Sequence, residues 1–396
     1  MPSDEKLVHP ISSEELERRW SAVRTAMDDQ GVGALVMQNN NEFLGGYVKW
    51  FTDIPARNSY PHTIIFHRED KMTLVCQGPM DGDRSIKEAT MGTRGIGRIC
   101  TNPSYSSINY TKTYDATQAA DDLRSRGYKT IGFVGPGAIS YPFVEHLKEN
   151  VSAEFIDASD LVDGIKAIKS PEEIERIKET ALMQDQVIEA IAANIKPGMK
   201  DFEVAALAQY TGQINGSEQG IFLGTSAPQG KPSMFMQRHN QGRELQEGDH
   251  LALLVENNGP GGFYTEISRT FVLGKASNQL TDDFQATVEA QQNTLKMLKP
   301  GVPCKDIYEA HNEYMRSQGL PEERRLYSHG QGYDMVERPL IRDDETMTLE
   351  KDMNIVVHPG FGNDRVFAVV CDNYLITENG VSKCLHKTPQ KIIEVY

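Results

Sequence analysis

A repeated tripeptide constrains the fold of this 396-residue chain more than any other feature of its sequence. Lys196-Pro197-Gly198 returns as Lys299-Pro300-Gly301, and an aspartate follows at the same distance from each lysine, Asp249 in the first copy and Asp352 in the second. Each copy stands between two amphipathic helical patterns and precedes an apolar, strand-like run. The sequence therefore predicts a duplicated helix–helix–hairpin unit from about residue 170 onward. Because equivalent faces of duplicated units meet in a shared cleft, we expect the functional residues there.

The segment before this duplication has the pattern of an α/β domain. Strand-like runs alternate with helical patterns at 13–29, 34–37, 63–66, 72–76, 116–126 and 130–134. Ser170-Pro171-Glu172-Glu173 then combines an N-cap serine, a proline at the first helical position and a glutamate at the third, which is a helix start signal. We therefore predict an α/β N-terminal domain over 1–160 and an α+β C-terminal domain over 161–396.

Charge and composition argue against several classes of partner. The 56 acidic residues exceed the 41 basic ones, and the net charge of −15 disfavours nucleic acid and anionic membranes. The apolar stretches are too short to cross a bilayer and residues 1–10 are polar, so we expect a cytoplasmic protein without membrane contact. The five cysteines lack the spacing of a disulfide frame or a zinc ribbon, and we expect reduced thiols.

Several motifs, in order along the chain, resemble those of the pita-bread family, which includes methionine aminopeptidase, aminopeptidase P, prolidase and creatinase. They are the segment 165–174, the turn Gly248-Asp249, the run 266–271, His329-Gly330-Gln331-Gly332 with Glu337 and Pro339, and the segment 372–380. The resemblance covers nearly all of the C-terminal domain and, more loosely, the N-terminal one. It implies a pita-bread C-terminal domain in the two-domain arrangement of creatinase and prolidase.

The metal ligands of the family's peptidases are altered in this chain. Those enzymes hold two metal ions with two aspartates, one histidine and two glutamates. Carried over in chain order, these positions fall at Leu254 or Val255, with Glu256 adjacent, and then at Glu266, His329, His358 and Cys371. A second histidine of the peptidase motif becomes Val336. Because a dimetal centre needs several short carboxylates, the sequence predicts the loss of this centre and of peptidase activity.

Creatinase, a family member without metals, provides the first interpretation of the cleft. The resemblance places its catalytic histidine at His239, within Arg238-His239-Asn240. A neutral imidazole can accept and return a proton at neutral pH, so we expect His239 to be the acid/base catalyst. Catalytic roles are also expected for Glu266, His329 and His358. On this interpretation the protein is a creatinase-like hydrolase that uses no cofactor and cleaves a C–N bond of a small, polar, nitrogen-containing metabolite.

Two alternatives remain open at this point. Glu266, His329 and His358 offer one carboxylate and two imidazoles, a set that can hold one iron, zinc or manganese ion, with Cys371 as a softer fourth ligand. This set predicts a mononuclear-metal hydrolase or lyase. The other alternative is a catalytically inactive pita-bread binding module, as in the family's histone-chaperone domains.

Further substrate-binding residues follow from the same resemblance. Creatinase-like dimers extend an aromatic ring and an arginine from one subunit into the cleft of the other, and Phe51 and Arg57 stand at this place. Arg57 is suited to hold a substrate carboxylate through two parallel hydrogen bonds. Tyr264, Glu337 and Cys371 belong to segments that line the cleft in relatives. We therefore expect a homodimer that acts on a small-molecule substrate.

Overall fold

The computed structural model describes residues 9–39, 46–56 and 60–396, and the chain divides after Lys166 into two compact units. Within these described ranges, no helix is both long and apolar enough to span a membrane.

The N-terminal unit is a mixed β-sheet with helices packed against it. Its elements are α1 (Ser13–Gln30), β1 (Ala34–Asn39), α2 (Gly46–Thr52), β2 (His62–His67), β3 (Met72–Gln77), β4 (Gly82–Ser85), β5 (Ile96–Asn102), α3 (Tyr114–Arg126), β6 (Thr130–Phe133), α4 (Tyr141–Asn150), β7 (Glu154–Asp157) and α5 (Ser159–Lys166). In the described part of this unit the strand order is β4-β5-β3-β2-β1-β6-β7. Ala116, Ala119, Ala120 and Leu123 lie at helical spacing on one face of α3 and are fully buried in the core of the unit.

The C-terminal unit contains the duplication. Its first copy comprises α6 (Pro171–Asn194), α7 (Asp201–Ile214), β8 (Gly220–Leu223), β9 (Ser226–Pro228), β10 (Asp249–Asn258) and β11 (Tyr264–Leu273). The second comprises α8 (Asn278–Leu295), α9 (Cys304–Ser317), β12 (Ser328–Gly330), β13 (Glu337–Ile341), β14 (Asn354–Val357), β15 (Gly360–Gly362), β16 (Phe367–Val369), β17 (Asp372–Thr377) and β18 (Gly380–Val381). Strand β19 (Ile393–Val395) ends the chain's regular structure and pairs with β11.

Both Lys-Pro-Gly turns have the same geometry. Gly198 and Gly301 have φ angles of 89° and 85°, a left-handed conformation that favours glycine. The amide of Gly198 donates to the Leu245 carbonyl at 2.9 Å, and that of Gly301 donates to the Leu349 carbonyl at 2.8 Å. Each turn joins two packed helices, α6 to α7 and α8 to α9. The predicted fold, an α/β domain followed by a duplicated α+β domain, is confirmed.

Two sheets of the C-terminal unit, one mixed and one antiparallel, meet at the strands that carry the candidate site. In the described residues, one sheet has the order β19-β11-β10-β8 with β9 also on β10, and the other has the order β13-β12-β14-β17-β18. An isolated bridge between Ser268 and Cys371 joins them. Strands β10 and β11 are buried along their whole length. Polar residues in so buried a strand pair need partners, which makes them candidates for function.

Candidate metal centre

A cleft of about 560 Å³ opens where the two sheets of the C-terminal unit meet. Its ionisable lining residues include Glu256, Glu266, His329, His358 and Cys371. All except the partly buried His358 are at most 5% exposed. The cleft therefore places two carboxylates, two imidazoles and one thiol in a largely water-excluded space.

The two glutamates face each other across the β10–β11 hairpin. Glu256 pairs directly with Glu266 in the antiparallel register, so their side chains leave the sheet on the same face. Val255 points the other way, into the apolar core behind the sheet. Leu254 lies on the cleft face beside Cys371. The carboxylate of this strand that faces Glu266 is thus Glu256, which follows the two apolar positions, Leu254 and Val255, to which the resemblance assigned the family's first aspartate.

The two histidines present their ring nitrogens to the same space. His329 Nδ1 lies 3.0 Å from the Gly330 carbonyl, which can only accept, so Nδ1 carries the proton and Nε2 keeps a free lone pair. That Nε2 lies 3.9 Å from Glu266 Oε2. His358 directly follows β14, and its ring centroid lies 5.2 Å from that of His329. Among the described residues, His358 Nε2 has no hydrogen-bond partner.

Burial sets the charge state of this cluster. It lowers the pKa of His329 to about 4 and, together with the neighbouring His329, that of His358 to about 3. Burial also raises the pKa of Glu256 well above its ordinary value, and the facing Glu266 adds to this effect. The pKa of Glu266 is likewise raised by burial. Because both imidazoles are neutral at pH 7 and the two acids repel each other, the cluster favours a bound cation.

A hydrogen-bonded network beneath the cluster holds Glu256 in place. Gln331 Nε2 donates to Glu256 Oε1 at 2.9 Å, and Asn373 Nδ2 donates to Gln331 Oε1 at 2.9 Å. Asn373 Oδ1 accepts from the Glu266 amide at 2.8 Å, and Asn354 Nδ2 donates to the Gln331 carbonyl at 3.0 Å. The network thus fixes Glu256 and, through Asn373, the backbone of Glu266, and partners of this kind orient the residues of a metal site. Sequence reasoning missed these roles, although Gln331 stands inside the His-Gly-Gln-Gly motif.

The donor set fits one divalent ion. Ligand atoms of Glu266, His329 and His358, hereafter the metal-centre residues, all lie within 4.8 Å of one another. Two imidazole nitrogens and one carboxylate suit zinc, iron or manganese. The free His358 Nε2 gives this group an unused ligand atom. Cys371 lies outside the group, and burial with Glu266 nearby raises its pKa well above 9.0, which keeps the thiol protonated.

Other residues predicted for the site lie elsewhere in the described structure. His239 is exposed in the turn Arg238–Asn240 and does not line the cleft, and neither does the buried Tyr264. Glu337 forms a buried ion pair with Lys169. Phe51 is buried in the N-terminal unit, edge-on to Trp50 and Phe66. Arg57 lies outside the described residues, so its role and the homodimer stay predictions.

Comparison with known proteins relates the chain to metallopeptidases. Residues 175–378 match the profile described as metallopeptidase family M24. The Xaa-Pro dipeptidase of Pyrococcus furiosus is 29% identical over 264 residues, which cover 65% of this chain and 74% of that protein. An uncharacterized hydrolase/peptidase of Sinorhizobium fredii, y4tL, is 26% identical over 396 residues, 96% of each chain. The fold of an X-Pro aminopeptidase from Thermotoga maritima matches with a TM-score of 0.76 at 18% identity, over 95% of this chain and 99% of that one.

These similarities overturn two expectations from the sequence. The creatinase-like, non-peptidase function is contradicted, because the similar proteins are dipeptidases and other peptidases. The expectation of no cofactor is contradicted as well, because the matching family is one of metallopeptidases and the metal-centre residues converge. Residue-by-residue transfer misled the prediction because it counted ligands by type and left Glu256 beside the ligand set and not within it.

Proposed function

Because this chain belongs to metallopeptidase family M24, we propose that it is a metal-dependent hydrolase in which Glu266, His329 and His358 hold one divalent ion. The convergence of their ligand atoms within 4.8 Å in a buried cleft is the observation that carries the proposal. Membership also agrees with the resemblance to the pita-bread family and identifies the protein as a relative of hydrolytic enzymes.

A bound metal ion would supply a Lewis acid that polarises a carbonyl and lowers the pKa of water. The protein's own residues supply the rest. His329 is held in one tautomer by the Gly330 carbonyl, so the lone pair of its Nε2 is available to the ion. The buried, low-dielectric cleft strengthens every charge interaction with the substrate.

Glu256 is suited to transfer a proton during hydrolysis. Its Oε1 accepts from Gln331 Nε2 at 2.9 Å, which fixes the carboxyl group beside Glu266. Burial and the facing Glu266 raise the pKa of Glu256, and a carboxyl group with a raised pKa can both accept and return a proton near neutral pH. In this role Glu256 takes a proton from water and returns it to the leaving nitrogen of an amide.

The walls of the cleft favour a small substrate with an apolar part. Its volume of about 560 Å³ lies in the usual range for small-molecule sites. Its apolar lining includes Ile221, Leu223, Phe235, Phe361, Phe367 and Val369. Phe235 and Phe367 contact each other edge to face, with ring centroids 5.0 Å apart. Since two relatives, from Pyrococcus furiosus and Pyrococcus horikoshii, are named Xaa-Pro dipeptidases, we propose a dipeptide-sized amide as the substrate.

Metal content and hydrolysis test this proposal together. Protein stripped of metal and reloaded with zinc, manganese or ferrous iron should bind one equivalent per chain and release proline from alanyl-proline. Glu266→Gln and His329→Ala should each lose the metal and about 10³-fold in kcat/KM, which corresponds to several kcal/mol. His239→Gln, at an exposed histidine outside the cleft lining, is the matched control and should retain both properties.

Binding of two equivalents would contradict the single-ion site. Unchanged metal content in Glu266→Gln and His329→Ala would contradict the assignment of ligands. If the loaded protein cleaves no dipeptide while binding one ion, the substrate class proposed here is wrong.

A further inference from the structure

An arginine stands at the mouth of the cleft. Arg325 belongs to the segment between α9 and β12, and its exposed side chain lines the same cleft as the metal-centre residues. Glu256, Glu266, His329 and His358 line the same cleft. Arg325 therefore places a positive charge on the wall of a cleft that also contains two carboxyl groups.

The guanidinium of Arg325 has no internal counter-charge in the part of the chain that the structure describes. The acids beside it in sequence are engaged elsewhere: Glu322 pairs with Arg316, and Glu323 Oε1 accepts from the backbone amide of Arg325 at 2.6 Å. No hydrogen bond or ion pair joins the Arg325 side chain to a described residue. The guanidinium is therefore available to an anionic group that enters the cleft.

The backbone around Arg325 is held firmly. The Glu323 carbonyl accepts from Tyr308 Oη at 2.7 Å and from Asn312 Nδ2 at 3.0 Å, while the Glu323 amide donates to Asn312 Oδ1 at 2.8 Å. Arg342 Nη1 donates to the Arg325 carbonyl at 2.9 Å. Because the segment is anchored on both sides of Arg325, only the side chain has to be ordered when a ligand binds.

We propose that Arg325 binds a carboxylate of the substrate at the mouth of the cleft, while the bond to be cleaved lies over the metal-centre residues. This inference rests on the proposed hydrolase function of the same cleft. The planar guanidinium can donate two parallel hydrogen bonds to a carboxylate. Glu256 and Glu266 would repel an anionic substrate, and Arg325 offsets this repulsion. The sequence-based expectation gave this task to Arg57, whereas Arg325 belongs to the same unit as the metal-centre residues.

Matched acid and amide probes test the assignment. Alanyl-proline and alanyl-prolinamide differ in one carboxylate, and their affinities can be measured by calorimetry in the metal-loaded full chain carrying Glu256→Gln, which prevents turnover. The acid should bind about 10-fold to 100-fold more tightly than the amide, as expected for hydrogen bonds between charged groups. Adding Arg325→Gln should remove this preference by weakening acid binding alone, and Arg325→Lys should restore only part of it.

Arg324 provides a control of equal charge. It is the adjacent arginine, it is exposed, and among the described residues it does not line the cleft. Arg324→Gln should leave the preference for the acid unchanged. The proposal is overturned if the acid and the amide bind equally well, or neither binds, when Arg325 is present. It is also overturned if the preference survives Arg325→Gln or falls by the same factor in Arg324→Gln.

Failure of this inference and failure of the proposed function give different results. The single variant Arg325→Gln should keep one equivalent of metal, raise KM for alanyl-proline and leave kcat nearly unchanged. Loss of the acid preference without any metal binding or hydrolysis supports Arg325 and overturns the metal-dependent function. Normal metal binding and hydrolysis with an unchanged KM in Arg325→Gln overturns the role of Arg325 alone.

Discussion

Two buried clusters of ionisable side chains in the C-terminal unit differ in how their charge is balanced. The first comprises the metal-centre residues and Glu256. The second, hereafter the Asp372 cluster, comprises Asp372, Arg269 and His386. Ligand atoms of Asp372, His386 and Cys384 also lie within 4.8 Å of one another, so spacing alone does not distinguish the clusters.

The Asp372 cluster contains its own cation. Asp372 Oδ1 accepts from Arg269 Nη2 at 2.7 Å, and Asp372 Oδ2 accepts from Gln390 Nε2 at 2.8 Å. Arg269 also donates to the carbonyls of Thr388 and Pro389 at 2.8 and 2.9 Å. Burial alone would raise the pKa of Asp372, but Arg269 beside it holds that pKa well below its ordinary range. This cluster is a closed ion pair with a structural role.

The metal-centre cluster has no such internal cation among the described residues. Its two facing glutamates have raised pKa values, its histidines are neutral, and a cavity opens over them. The two clusters share the spacing of metal ligands, but only the metal-centre cluster leaves its charge unbalanced beside a cavity that a ligand can enter. Arg269 already neutralises the buried charge of Asp372. A metal ion would therefore add little to the Asp372 cluster.

The largest expected loss of stability comes from replacing Asp372, the partner of Arg269 in the buried ion pair. Asp372→Asn leaves Arg269 buried without its counter-charge, so the free energy of unfolding should fall by about 3–5 kcal/mol. Urea denaturation followed by circular dichroism measures this change. Asp344→Asn removes an exposed carboxylate paired with Arg342 and should leave the stability unchanged. An equally small effect of both substitutions would show that the Asp372 cluster is not a stabilising ion pair.

A third buried ionisable group, His311, should make the stability of the protein depend on pH. His311 stacks on Tyr327 with ring centroids 3.5 Å apart, and burial lowers the pKa of His311 from 6.5 to about 4. The folded state therefore prefers the neutral ring, a contribution that is fully present above pH 6.5 and is lost as pH falls through 4. His311→Phe keeps the stacking and should reduce the stability lost between pH 7 and pH 4 by on the order of 3 kcal/mol.

Urea denaturation at a series of pH values measures the effect of His311→Phe. His239→Phe, at an exposed position, should retain the acid dependence of the wild type. Identical pH profiles for His311→Phe and the wild type would mean that His311 is not held neutral by burial.

Each cluster contacts one buried glutamine, and replacing the two glutamines should have different effects. Gln331 contacts Glu256, whereas Gln184 Oε1 lies 2.9 Å from His386 Nε2 in the Asp372 cluster. Gln331 also accepts from Asn373, whose Oδ1 accepts from the amide of the proposed ligand Glu266. Gln331→Leu should therefore lower the metal affinity by about 10-fold to 100-fold, the usual effect of losing a residue that orients a metal ligand. Gln184→Leu should lower stability and leave metal affinity unchanged. Competition with a zinc chelator measures the affinities, and an equal loss in both variants would contradict this difference.

The smallest expected effect is a gain in stability, whereas Asp372→Asn should cause a loss. Glu256→Gln replaces a buried carboxyl group, whose ionisation beside Glu266 is unfavourable, with an amide that can donate to Glu266, while Gln331 keeps an acceptor. The metal-free protein should therefore gain about 1 kcal/mol in stability, as is common when a functional residue is replaced. The same change of carboxylate to amide thus stabilises one cluster and destabilises the other. A loss of stability in metal-free Glu256→Gln would show that this site carries no electrostatic strain.

Local signals in the sequence predicted much of the fold. Ser170 caps α6 through a reciprocal pair of hydrogen bonds with Glu173, as the capping box indicated. Gly198 and Gly301 take equivalent turns, as the repeated tripeptide predicted. These signals act over a few residues, so they can be identified without knowledge of the tertiary structure. The candidate site was predicted only in part, since Glu256, Gln331 and Arg325 were not assigned roles in it.

The sequence by itself therefore determined the duplicated fold and the types of ligand available. Only the tertiary structure decided that Glu256 faces Glu266, because neighbouring residues in a strand point to opposite sides and a shift of one position exchanges them. It also decided that Asp372 has Arg269 as a partner while the metal-centre residues have none of that kind among the described residues. Charge balance in a buried cluster depends on residues about a hundred positions apart, and the strand pairing that brings them together also decides which cluster stays open to a ligand.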